Sequence, residues 1–125
     1  MLFDTDILIW IQRGNINAAT LFEEEPERYI SIQTYMELLQ CARNKQQQQL
    51  TKRFLADFAV ITLPLSANIG QRAAVYIEEY SLASGLRAGD ALVAATAVEH
   101  SLTLSTSNAK HFRNIVGLSL RIFKP

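Results

Sequence analysis

Four acidic residues stand where acidic residues are costly. Asp4 and Asp6 lie in MLFDTDILIW, a run otherwise apolar or β-branched. Glu37 is flanked by Met36, Leu38 and Leu39, and Asp90 opens the apolar stretch ALVAATAV. An isolated carboxylate in apolar surroundings is costly unless it is paired, hydrogen-bonded or bound to a metal. Carboxylates gathered in one pocket also raise each other's pKa, a penalty that a divalent cation removes. Oxygen-only ligands suit Mg²⁺ or Mn²⁺. A zinc site is not indicated, because His100 and His111 are 11 residues apart and the single cysteine, Cys41, is far upstream.

Each acid also has a purely structural reading. Asp6 suits the N-cap of a helix over 7–12, whereas Asp4 falls too early to cap it and interrupts a strand. Thr34 and Glu37 have the spacing of a capping box. Asp90 suits an N-cap, with Gly89 helping the chain to turn and the positive end of the helix dipole stabilising the carboxylate.

The elements that must position these residues follow from the hydrophobic pattern. Short strands are expected at 2–4, 29–32, 60–63, 103–105 and 120–123, rich in β-branched and aromatic residues and bounded by polar residues or Pro. Helices are expected over 17–25, 34–44, 46–58, 66–84 and 90–100. Pro26 stops the first. The Gln46–Gln49 run begins the third, Gly85 caps the fourth, and the last is apolar nearly all round. Strands alternating with helices imply an α/β fold with a mainly parallel five-stranded sheet covered on both faces. Sites in such sheets form at the carboxyl ends of strands, where Asp4 falls.

The 125 residues are read as one domain, 1–125, long enough for a core without staples. The chain has 12 basic and 12 acidic residues, so bulk charge selects no partner and any nucleic-acid contact must be local. Residues 1–30 hold six acids and two bases, whereas after Glu99 only Lys110, Arg113, Arg121 and Lys124 are charged. Cys41 is read as a small core residue, and a single cysteine excludes an intrachain disulfide. A cytoplasmic location is expected, as acids stand where a signal peptide needs positive charge and no apolar run is long enough to span a bilayer.

In four places the chain resembles the PIN-domain ribonucleases, and among them the VapC-type toxins of type II toxin–antitoxin pairs. They are LFDTDILI, SIQTYMELLQ, GLRAGDALVAATA and LSTSNAKHF, in the family's order and spacing and spanning the whole chain. The resemblance implies a Mg²⁺- or Mn²⁺-dependent endoribonuclease with Asp4, Glu37 and Asp90 as its catalytic acids and Asp4 and Asp90 closest to the metal. Asp6, Thr106, Asn108 and His111 fall in the supporting shell. The family's closing motif is T-x-N-x-x-D-F, and this chain has His111 where that aspartate stands. The departure raises an alternative, a catalytically weakened PIN-like module that binds RNA or protein. The resemblance further implies a transfer- or ribosomal-RNA substrate, a small cognate antitoxin, a homodimer and no membrane association. Arg13, Arg43, Arg87, Lys110 and Arg113 lie near the motifs and are candidates for phosphate contacts. Asp4-Thr5-Asp6 also resembles the D-x-D loop of haloacid-dehalogenase-type phosphatases, but no lysine follows a central strand here.

Overall fold

The computed structural model describes residues 1–125. Its centre is a very short strand, β1 (Leu2–Phe3). Side chains alternate across a strand, so Leu2 and Phe3 enter opposite cores. The sheet contains five strands, all parallel, in the order β3-β2-β1-β4-β5. The others are β2 (Tyr29–Ser31), β3 (Ile61–Leu63), β4 (Leu104–Thr106) and β5 (Leu120–Ile122). The α/β architecture expected from the alternating pattern is therefore the one formed.

The helices divide between the two faces. On the Phe3 side lie α1 (Thr5–Gln12), α2 (Ile16–Glu24), α3 (Ile32–Gln40) and α4 (Lys45–Asp57), burying Ile7, Leu8, Phe22, Leu38 and Leu55. On the Leu2 side lie α5 (Ala67–Ser84), α6 (Ala88–Glu99) and the single turn α7 (Ala109–Phe112). Their core holds Ile69, Tyr76, Val93, Ala94 and Phe112. The small side chains of α6 let it sit close against both α5 and the sheet, and Ala91, Val93, Ala94, Ala95, Thr96 and Ala97 are buried. As expected, Gly85 ends α5 in the left-handed conformation, at φ +73°.

The chain runs outward from β1 through β2 to β3, then crosses back to place β4 on the other side of β1. That reversal opens a crevice beyond the carboxyl ends of β1 and β4, the usual location of a site in an open parallel sheet. No helix is long and apolar enough to cross a membrane.

Four local expectations are corrected. Asp4, not Asp6, is the N-cap of α1, because the helix begins at Thr5 and the Asp4 carboxylate accepts the Thr5 N–H at 2.8 Å. Ser31, not Thr34, caps α3: its hydroxyl accepts the Thr34 N–H at 3.0 Å, so the helix starts at Ile32 and Glu37 lies beyond capping range. Arg87 is the N-cap residue of α6, and Asp90 is the third helical residue, reaching back to accept the Arg87 N–H at 3.2 Å. Cys41 is exposed, because α3 stops at Gln40 rather than continuing to residue 44. In the first two, a polar residue at or directly after the end of a strand takes the cap; in the third, a cap at residue 87 starts the helix early.

Candidate active site

Asp4 ends β1 with its backbone still in the ladder, its N–H donating to the Ser105 carbonyl at 2.9 Å. The residue is only 7% exposed. One carboxylate oxygen accepts the Thr5 N–H, and the other accepts the Thr106 hydroxyl at 2.8 Å. Thr106 ends the neighbouring strand β4, so sheet pairing sets this contact. Thr106 Oγ1 accepts in turn from the Asn108 N–H at 3.0 Å, fixing the loop that enters α7.

Asp6 lies one residue into α1 and reaches across the same crevice. Its Oδ2 accepts from the Ser107 N–H at 2.9 Å and from the Ser107 hydroxyl. Its Oδ1 is buried with no hydrogen-bond partner. An orphaned buried carboxylate oxygen carries a large desolvation cost and calls for a cation or a water.

The electrostatics agree. Burial, the adjacent Asp6 carboxylate and, more weakly, Asp90 push the Asp4 pKa up from 3.8 to about 7, against the lowering effect of the Thr106 and Thr5 hydrogen bonds. Negative charge is thus concentrated at this end of the sheet beyond what its hydrogen bonds balance.

Glu37 approaches from α3. Its Oε1 accepts from Gln33 Nε2 at 2.8 Å, one turn back along the helix. Both side chains pack against Gly89 in the first turn of α6: a β-carbon there would lie 3.1 Å from Gln33 Nε2 and 3.2 Å from Glu37 Oε1. Glu37 therefore lies against Gly89, the residue before Asp90, and it is not among the charges that raise Asp4. Hydroxyls link the floor of the crevice: Thr5 donates to Thr34 at 3.0 Å, and Ser31 donates to Thr34 at 3.3 Å.

On the far side, His111 Nδ1 lies 3.0 Å from Asp90 Oδ2 and 2.8 Å from Asn108 Nδ2. All of the expected shell residues, Asp6, Thr106, Asn108 and His111, therefore belong to this cluster. No three acidic, histidine or cysteine side chains stand close enough together to hold a metal ion as they are. The donor set nevertheless fits a hard divalent cation: carboxylate oxygens, one of them orphaned, at a sheet end where negative charge is uncompensated.

The expected phosphate contacts are dispersed. Arg87, Lys110 and Arg113 are exposed around the crevice, at the start of α6 and along α7. Arg13 caps the opposite end of α1 from Asp4, with its guanidinium 5.8 Å from the Trp10 ring centroid. Arg43 lines a groove between α3, α4 and α1. Neither Arg13 nor Arg43 makes a hydrogen bond or ion pair with the acidic cluster.

The fold has counterparts among known proteins. The PIN domain family model matches residues 1–118. The chain belongs to the PIN-domain family. Among solved structures, a chain of a toxin–antitoxin complex from Klebsiella pneumoniae is 35% identical over 94% of this chain and 93% of that one, with a TM-score of 0.80. VapBC2 from Rickettsia felis bound to a DNA fragment from its promoter contains a chain 23% identical, covering 98% of each, at a TM-score of 0.77. VapBC-1 from nontypeable Haemophilus influenzae contains one 22% identical, covering 97% and 96%, at 0.78. The last two matches establish likeness of fold. No curated protein matches this PIN domain significantly by sequence.

Two contributors to this PIN-domain site, Gln33 and Ser107, are not foreseen from sequence, and Gly89 is foreseen only as an aid to the turn. Gln33 stands four residues before Glu37, a spacing that places both on one helix face and is legible in the sequence. Gly89 and Ser107 act through long-range packing, which no local pattern encodes.

Proposed function

We propose that this PIN domain, spanning residues 1–125, is a Mg²⁺- or Mn²⁺-dependent endoribonuclease and the toxin of a toxin–antitoxin pair. The observation that carries the reading is Asp4: a carboxylate at the carboxyl end of the central strand, whose pKa is pushed up to about 7 first by burial, then by Asp6 and more weakly by Asp90. Two hydrogen bonds satisfy it as the cap of α1, but no basic side chain pairs with it to offset the Asp6 and Asp90 charges. The Klebsiella pneumoniae likeness supplies the toxin–antitoxin context.

On this reading Asp4 and Asp90 hold the cation, and Asp6 Oδ1 faces the same pocket. The bound metal would lower the pKa of a water and neutralise charge on the phosphoryl oxygens. Thr106 and Thr5 fix both Asp4 oxygens in place. Glu37, oriented by Gln33, takes the proton of the attacking water on the α6 side. The exposed Arg87, Lys110 and Arg113 contact phosphates flanking the cleaved bond. The substrate is RNA whose backbone is accessible in a loop, as in transfer or ribosomal RNA. Arg13 and Arg43 have no part in this contact.

The small antitoxin has a surface to occupy. A groove of about 700 Å³ lies between α1, α3 and α4, with Ile11, Leu38, Leu50 and Phe54 among its apolar lining and Arg43 at its edge. An amphipathic partner segment suits such a groove. A second copy would cover Val75 and Leu82, which α5 leaves exposed. The cytoplasm, where RNA and antitoxin are made, is the proposed location.

Purified protein should cleave total RNA with Mg²⁺ or Mn²⁺, stop in EDTA, and lose activity in Asp4→Asn and Asp90→Asn. Equal cleavage by wild type and both variants refutes the nuclease reading. Growth arrest on induction, relieved by co-expression of a small neighbouring gene product, tests the toxin role.

A further inference from the structure

We propose that His111 is a positioning residue that holds Asp90 from outside the metal's coordination sphere; this rests on the metal-dependent reading of the site. The geometry engages one ring nitrogen and turns the other towards Gly85, away from the Asp90 contact. Nδ1 is 3.0 Å from Asp90 Oδ2 and 2.8 Å from the Asn108 side-chain amide. Nε2 lies on the other edge of the ring, against the turn between α5 and α6, and is 3.8 Å from where a β-carbon on Gly85 would stand. Neither nitrogen is left to face the carboxylates as a ligand.

The tautomer follows from the contacts. A bare Nδ1 would set its lone pair against a carboxylate oxygen at 3.0 Å. Nδ1 must therefore carry the proton and donate it to Asp90. The Asn108 amide, reversible by a half-turn, then presents Oδ1 to the same N–H. Asp90 Oδ2 consequently accepts from two donors, the Arg87 backbone N–H at 3.2 Å and His111. These two bonds fix the carboxylate and leave Oδ1 for a cation. Partners of this kind orient metal ligands, and their loss typically costs about 10–100-fold in metal affinity.

The role also explains how the site accommodates an imidazole. A carboxylate at residue 111 would add negative charge directly against Asp90. The imidazole instead supplies a donor, and it joins the first turn of α6 to α7.

Two measurements test this on the intact chain. In the metal-free protein, long-range ¹H–¹⁵N correlation spectra should show neutral His111 as the Nδ1–H tautomer, and Asp90→Ala should shift it towards Nε2–H. Mn²⁺ titration followed by electron paramagnetic resonance should show His111→Ala weakened by roughly 10–100-fold. His111→Asn, whose amide N–H can replace Nδ1–H, should stay within about threefold of wild type because the donor to Asp90 is kept. Electron spin-echo spectra of the wild-type Mn²⁺ complex should show no directly bonded histidine nitrogen.

An Nε2–H tautomer in the metal-free wild type overturns the proposal, as does a Mn²⁺–nitrogen coupling that His111→Asn abolishes. Equal Mn²⁺ affinity in wild type and His111→Ala also overturns it. Failure of the wild type to bind Mn²⁺ despite an Nδ1–H tautomer refutes the metal-dependent reading and this role together. Normal Mn²⁺ binding with the wrong tautomer refutes the positioning role alone.

Discussion

The Thr106 hydroxyl donates to Asp4 Oδ2 at 2.8 Å, joining residues 102 apart in sequence at the ends of two adjacent strands. It is the one side-chain donor to a carboxylate pressed on by two others, and the same oxygen accepts the Asn108 N–H. Thr106→Val keeps the shape and removes both bonds, together with a longer 3.4 Å contact to Asp6 Oδ2. Leaving such buried groups unmatched costs about 1–3 kcal/mol. We expect a loss of that size in chemical denaturation and a fall of roughly 10–100-fold in Mn²⁺ affinity. Thr106→Ser should restore most of both. A variant with Val that binds Mn²⁺ normally would show that the hydroxyl supports only the fold.

Asp4 also sets a pH dependence for the metal-free protein. The folded state holds this proton to about pH 7, whereas the unfolded chain releases it near 3.8. Between those values the folded state binds more protons, so stability is greatest at the acid end and falls as pH rises, levelling above 7. The full effect is on the order of 4 kcal/mol, since each tenfold difference in proton affinity between the two states is worth about 1.4 kcal/mol. Thermal melts in EDTA between pH 5 and 8 should show the decline. Asp4→Asn should flatten it and melt higher than wild type at pH 8. Millimolar Mg²⁺ or Mn²⁺ should raise the wild-type melting temperature at pH 8 and leave Asp4→Asn nearly unmoved, since only binding to the folded state stabilises.

These two residues also show how far the sequence can be read. Asp4 is recognisable because a carboxylate interrupts an apolar strand, and the strand–helix alternation places it at the correct edge of a parallel sheet. Its role as the cap of α1 is not recognisable. Asp6 looks like the better cap if the strand includes residue 4, whereas β1 stops at Phe3. The same one-residue effect moves the cap of α3 from Thr34 to Ser31. Strand ends are decided by tertiary pairing, and a strand of two or three residues has no periodicity to mark its limits. Asp90 and His111 are each identifiable as motif positions, but their contact depends on α7, a single turn too short to leave a hydrophobic pattern. Cys41 is misplaced for a different reason: an apolar-looking neighbourhood does not reveal where a helix stops.

Away from the site, Arg28 makes a strong stability prediction. Its guanidinium donates to the Phe22, Phe58 and Glu23 carbonyls at 2.6, 2.9 and 2.9 Å. It also lies 5.2 and 5.5 Å from the Phe22 and Phe58 ring centroids. It thereby ties the ends of α2 and α4 together over the aromatic cluster of Phe3, Phe22, Phe54 and Phe58. A lysine keeps the charge but lacks the planar fork needed for three divergent carbonyls. Arg28→Lys should therefore destabilise by about 1–3 kcal/mol, read as a lower denaturation midpoint, with metal affinity unchanged. A midpoint within error of wild type would mean that the charge alone holds α2 to α4.

Gly89 separates stability from activity. It lies inside the first turn of α6, where glycine normally costs roughly 0.5–1 kcal/mol relative to alanine. Its lack of a β-carbon is used: the added atom would lie 3.1 Å from Gln33 Nε2 and 3.2 Å from Glu37 Oε1. Both are the far ends of flexible side chains, so the fold can yield by moving them. Gly89→Ala should therefore melt at or above the wild-type temperature. It should also displace the Gln33–Glu37 pair from its place against the first turn of α6. Misplacing a reacting group by about 1 Å can cost on the order of 10²-fold in rate. We expect RNA cleavage by Gly89→Ala to fall at least about tenfold while Mn²⁺ affinity, which rests on Asp4 and Asp90, changes little. Gln33→Ala removes the donor to Glu37 without touching α6 and should reproduce the loss of rate with no gain in melting temperature. Wild-type cleavage by both variants would exclude Glu37 from the reaction and leave it a residue of the α3–α6 packing.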